Sequence, residues 1–154
     1  MRYLNKIVFI NSAAIRYSEV QLDGNIHLIG TQGVGKSTIL RAILFFYNAD
    51  TQRLGIPVEK KSYQDYYFPY ADSSIIYEVA REDGWFTVLS YKTMNRICYR
   101  FIASPYRPDL FIDEEGAPYP SDRIRSVLDK NGIKYSGAIS TYEEYRNILY
   151  GNSD

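Results

Sequence analysis

The sequence has one cysteine, one histidine and one tryptophan among its 154 residues. A single cysteine, Cys98, cannot close an internal disulfide, so nothing in the chain asks for an oxidising compartment. The sole histidine, His27, has no cysteine or second histidine nearby to share a metal, and reads as a packed strand residue. Net charge is also missing: 18 Lys+Arg balance 18 Asp+Glu. That balance argues against a domain that grips nucleic acid by bulk charge, while leaving room for a local patch. No stretch approaches the ~20 apolar residues of a membrane span. The opening MRYLNKIVFINSAAIRYSEV interleaves charges with apolar residues, unlike the apolar core of a secretion signal. What is present is 45% hydrophobic and 23% charged residues over about one domain's length. The expectation is a soluble, cytoplasmic, globular domain.

The opening third reads as strands leading to a helix. Ile7 to Ile10 and Val20 to Leu22 are β-branched and apolar runs, Asp23-Gly24 is a turn signal, and Asn25 to Ile29 reads as a third strand. Ser37 to Tyr47 reads as a helix that is apolar on nearly every side, a pattern that predicts burial. Residues 49–72 show no clean period. From Ser73 the period becomes two: Ser74 to Val79, a turn at Glu82-Asp83-Gly84, Trp85 to Tyr91, a turn at Thr93 to Asn95, then Ile97 to Ile102. This predicts an antiparallel meander. Pro105 and Pro108 end it, and Leu110 to Ile112 reads as a last short strand. Ser121 is the expected cap of a helix through Lys130 that stops at Asn131-Gly132. Ser140 with Glu143 has the spacing of a capping box opening a final helix to Leu149. The 16 tyrosines are scattered, and packing explains them better than a base-stacking platform.

One motif carries chemistry. Gly30-Thr31-Gln32-Gly33-Val34-Gly35-Lys36-Ser37 matches G-x-x-x-x-G-K-[ST] in full, after a strand and at the mouth of a helix. Glycines let the backbone wrap with its N–H groups turned inward, forming a nest for phosphates. In such a loop Lys36 reaches the β- and γ-phosphates and the Ser37 hydroxyl ligates Mg²⁺. The expected ligands are a nucleoside triphosphate, ATP, and Mg²⁺.

With Thr38 the loop is spelled G-x-x-G-x-G-K-S-T, and in this it resembles the ABC-type ATPases and their SMC relatives. Strands before the loop, the helix Ile39 to Phe46 and the later meander resemble the N-terminal half of an SMC-type head. More narrowly, Gly30 to Tyr47, the stretch Tyr66 to Val79 and the ending Glu144 to Gly151 are similar to the MukB/MksF and Wadjet JetC ATPases, a condensin-like group. The fold this implies is α/β, a P-loop NTPase lobe of ABC/SMC type with a mixed or antiparallel β-meander and a buried P-loop helix. Residues 1–154 would then be one half of a head, ending about where a coiled coil leaves it. The implied partners are the C-terminal half of the same head, a second head, DNA, and accessory subunits of a chromosome-organising or plasmid-defence complex, with no membrane.

The chain departs from that pattern in places. Gln32 stands where the family often has asparagine. No arginine occupies Phe68-Pro69-Tyr70-Ala71, where such heads commonly place one near the nucleotide, and Gln64 is the last glutamine, so a metal-touching glutamine is not located either. For Walker B the only match is Leu110-Phe111-Ile112 followed by Asp113 and Glu114. In a catalytic role Asp113 would hold the water shell of Mg²⁺ and Glu114 would orient the attacking water. The apolar run is short, Pro108 precedes it and Glu115-Gly116 follows, so a polar turn is the favoured reading. Hydrolysis is then expected only of a full-length protein. Lys60-Lys61 and Arg123 with Arg125 are possible phosphate contacts for DNA, with solvated surface charge as the default. Rival functions are a self-contained P-loop kinase or GTPase using Asp113, a non-hydrolysing nucleotide-binding module, and, less favoured for want of a signature loop, an ABC transporter subunit.

Overall fold

A computed structural model describes residues 2–22, 28–29, 35–48, 63–94 and 96–149. The fold is mixed α/β, built on an antiparallel sheet whose strands are β1 (Arg2–Ser12), β2 (Ile15–Leu22), β3 (Leu28–Ile29), β4 (Ser74–Arg81), β5 (Gly84–Thr93) and β6 (Arg96–Ile102). Their spatial order is β3-β2-β1-β4-β5-β6. The expected meander is present as β4-β5-β6, with Ile76 opposite Leu89 and Leu89 opposite Arg100. What the sequence pattern did not contain is the partner of β1. It lies against β4, with Ile7 opposite Tyr77 and Phe9 opposite Ile75, and so joins the N-terminal hairpin to the meander in one sheet.

Period two gives the sheet two faces, and both are covered. On one face Ile7, Phe9, Val20, Ile75, Tyr77, Val88 and Tyr99 meet α1 (Lys36–Asn48), α2 (Tyr63–Tyr67) and α4 (Tyr142–Leu149). On the other, Val8, Ile10, Ile76, Leu89 and Ile102 meet a 3-10 turn (Pro108–Leu110) and α3 (Ser121–Lys130). Covering both faces explains why β4 is buried at every position but its last, Arg81. Removing that much apolar surface from water, at about 25 cal/mol per Å², is the main stabilising term of this three-layer arrangement. Among the described residues no helix is long and apolar enough to cross a membrane.

Several local expectations are corrected. Leu110 to Ile112 is not a strand: Pro108 starts a 3-10 turn, and only Ile112 makes a bridge, to Pro118. Ser121 is the first helical residue of α3 rather than its cap; the cap position is Pro120, without a side-chain bond. The last helix is capped one residue later than the spacing implied, by Thr141, whose Oγ1 accepts the Glu144 N–H at 3.3 Å. Helix α1 buries one side only. Ile39, Ala42, Ile43, Phe45 and Phe46 are buried, but Leu40 and Leu44 are each 45% exposed. The turn Asp23-Gly24 and residues 25–27 of the expected third strand lie outside the described residues.

Candidate functional site

The described part of the glycine-rich motif is its end, Gly35 and the first turn of α1. Gly30, Thr31, Gln32, Gly33 and Val34 lie outside the described residues. The helix opens at Lys36, and the Ile39 N–H bonds back to the Gly35 carbonyl at 3.2 Å. Lys36 and Ser37 are exposed and Thr38 is half-buried, so both polar heads expected to meet a phosphate and a metal face outward. Three features suit an anion here. The first N–H groups of a helix have no partner inside it, and the helix dipole is positive at that end. No acidic residue occupies the first turn, where one would compete. Among the described residues, chain neighbours aside, a Cβ built on Gly35 would meet no atom within 4 Å.

The opposite side of α1 is held by three tyrosines from three elements. Tyr67 of α2 donates its hydroxyl to the Thr38 carbonyl at 2.8 Å, and Tyr77 of β4 to the Ala42 carbonyl at 3.0 Å. Tyr145 of α4 donates to the Phe46 carbonyl and stacks on Tyr99 at 4.2 Å between ring centroids. Residues 38, 42 and 46 form one stripe at a spacing of four, the helix's own repeat. Burial pushes the Tyr67 phenol well above its ordinary value, Tyr66 adds to the rise, and Arg41, hydrogen-bonded to the same phenol, pulls the other way. The phenol therefore stays protonated and able to donate. Sequence reasoning assigned tyrosines to packing in general; the crowding of Tyr63, Tyr66, Tyr67 and Tyr70 was the available signal for this contact.

Asp113 and Glu114 lie elsewhere. Leu110 and Phe111 belong to the core under α3, on the other face of the sheet from α1. Asp113 Oδ1 accepts the N–H groups of Glu115 at 2.8 Å and Ala117 at 2.9 Å, closing a polar turn, and Glu114 is exposed. Arg123 and Arg125 are exposed on α3, Arg123 over the Tyr119 ring at 5.7 Å. Lys60, Lys61 and His27 fall outside the described residues. Cys98 is buried, and burial raises its thiol above the usual value, as suits a packing residue. Glu78 is a buried carboxylate that the sequence reading passed over. Its oxygens accept from Asn5 Nδ2 and from the Tyr106 N–H, both at 2.8 Å, which fixes the segment after β6 to the sheet.

A family model described as "Protein of unknown function (DUF3584)" matches residues 11–153. The chain belongs to this family. The match takes in the motif, the helix behind it, the meander and α4. No curated protein and no solved structure matches the chain.

Proposed function

We propose that this member of the DUF3584 family is the ATP-binding N-terminal half of an SMC-like ATPase head of P-loop NTPase type, working in the cytoplasm on DNA within a condensin-like or plasmid-defence complex. The observation that carries the reading is the full G-x-x-x-x-G-K-S sequence running into an exposed, acid-free first turn of α1. The backbone N–H groups of that turn and the Lys36 ammonium would neutralise the β- and γ-phosphates. The Ser37 hydroxyl would hold Mg²⁺, which when bound offsets charge on the phosphoryl oxygens. Glycine at position 35 would let the backbone approach a phosphate without a side chain in the way.

The exposed stripe of α1 supports the half-head part of the reading. Lys36, Leu40 and Leu44 follow one another at a spacing of four, so the apolar patch continues directly from the phosphate end. Two leucines left facing water beside a ligand site are what a second body of the same head would cover. That body, together with a second head, would supply the carboxylates and signature loop that complete hydrolysis. DNA and accessory subunits enter through the resemblance to MukB/MksF and JetC.

The deciding experiment is a titration of the protein with Mg·ATP, wild type beside Lys36→Ala. The substitution removes one compact charge and leaves the apolar face of α1 intact. Affinity is expected to fall at least ~10-fold, about 1.4 kcal/mol, with unchanged thermal stability in the absence of nucleotide. Equal binding by the two proteins would overturn the phosphate assignment.

A further inference from the structure

We propose that Tyr67 is a positioning residue for the phosphate-binding turn, its hydroxyl tying the Thr38 carbonyl of α1 to α2. The inference rests on the ATP-binding reading above and concerns how that site is held in place. Thr38 lies two residues from Lys36 and next to Ser37, so whatever restrains its carbonyl restrains the turn that presents both side chains. Tyr67 is fully buried, and Phe68 beside it is too, so the ring has no freedom to withdraw. The bond from this buried hydroxyl to the Thr38 carbonyl can form only when the first turn of α1 sits where it does, and losing such a bond is costly. The Arg41 side chain, one turn further along, also acts on this phenol, lowering its pKa against the rise from burial. Tyr66 packs edge-on against Tyr67 at 4.9 Å, which holds the ring from the outer side.

The other tyrosines on the stripe provide the control. Tyr145 makes the same kind of bond, from an equally buried ring, to the same helix, but at Phe46, nearly three turns away from Lys36. The Thr38 carbonyl keeps its place in the helical ladder without the Tyr67 hydroxyl, whereas the Phe46 carbonyl is among the last four of α1, so both variants should fold and Tyr145→Phe should lose at least as much stability as Tyr67→Phe. If the contact only holds the core together, the two variants should behave alike toward nucleotide. If it positions the turn, they should differ.

The test measures Mg·ATP affinity and the urea midpoint for wild type, Tyr67→Phe, Tyr145→Phe and Lys36→Ala. The expected result is a roughly 3- to 10-fold weaker affinity for Tyr67→Phe, and wild-type affinity for Tyr145→Phe despite a midpoint shift at least as large. Wild-type affinity in Tyr67→Phe, with binding lost in Lys36→Ala, would overturn the positioning role while leaving the phosphate site standing. An equal loss of affinity in both tyrosine variants would also overturn it, since a general loosening of α1 would then be the cause. Binding that Lys36→Ala does not weaken would remove the site and this inference with it.

Discussion

Asp113 is held by two backbone N–H groups. Its Oδ1 accepts from Glu115 and Ala117, and the Gly116 N–H returns to the Asp113 carbonyl at 3.0 Å, with Gly116 at φ +84°. This is turn chemistry, in which a short carboxylate replaces a backbone acceptor. Asp113→Ala should therefore cost about 1–2 kcal/mol of stability, because two N–H groups lose their acceptor. Asp113→Asn keeps an oxygen in the same place and should cost less. In a Mg·ATP titration Asp113→Asn and Glu114→Gln should bind as wild type does; a tenfold loss would return these carboxylates to the metal. The hydrophobics before Asp113 imitate a Walker B strand only in order of residue types. Pro108 turns the backbone into a 3-10 bend before any strand can form.

Helix ends show how a spacing rule can be right about an element and one residue out on its boundary. Both Ser140 and Thr141 can cap, and Glu143 and Glu144 can each stand three residues on. The helix begins at Tyr142, which puts Thr141 at the cap with its Oγ1 on the Glu144 N–H. Burial of Tyr145 and Leu149, four residues apart, sets that phase: the face toward Phe46 and Tyr99 must carry both. Thr141→Ala is expected to cost about 1 kcal/mol by urea unfolding, and Ser140→Ala only a few tenths, the reverse of what the Ser140–Glu143 spacing implies. The far end of α3 was more readable. Gly132, at φ +68°, donates to the Asp129 carbonyl at 3.1 Å, and Ile133 to Leu128 at 3.0 Å. That double bond is the glycine-closed helix end expected of Asn131-Gly132.

At the scale of the molecule, an antiparallel sheet must deal with its edges. The free side of β6 is covered by the chain from Lys134 to Ile139. Tyr99 and Ile139 exchange backbone bonds at 2.8 Å, and the Ser136 N–H reaches the Phe101 carbonyl at 2.8 Å. Ser136 also accepts the Phe101 N–H on its Oγ at 3.0 Å, so one residue satisfies both groups of Phe101. Ser136→Pro would remove a donor and an acceptor together. The expected outcome is a loss of about 1–3 kcal/mol and concentration-dependent association through the uncovered edge, read by light scattering. A monomeric, fully stable variant would show that this cover is dispensable.

Local pattern was enough for the meander, the far end of α3 and the helix behind the glycine-rich motif, because period two, period 3.6 and turn residues act within a few positions of one another. It was also enough to put Lys36 and Ser37 at a helix start, where α1 opens. It did not reveal the first hairpin's turn, where Ala13 and Ala14 take φ +49° and +65°, a conformation alanine adopts only at a cost and that no local signal announces. There the pairing of β1 with β2 and β4 imposes the turn. Nor could period two name the partner of β1 across the sheet, where Ile7 lies opposite Tyr77 of β4, 70 positions on, because alternation fixes a face and not a neighbour. Which tyrosines grip α1 was settled the same way. Residues 67, 77 and 145 reach carbonyls 38, 42 and 46 only after sheet and helices have packed. Contacts between distant segments are made by burial of the shared core, and that is decided by the whole fold at once.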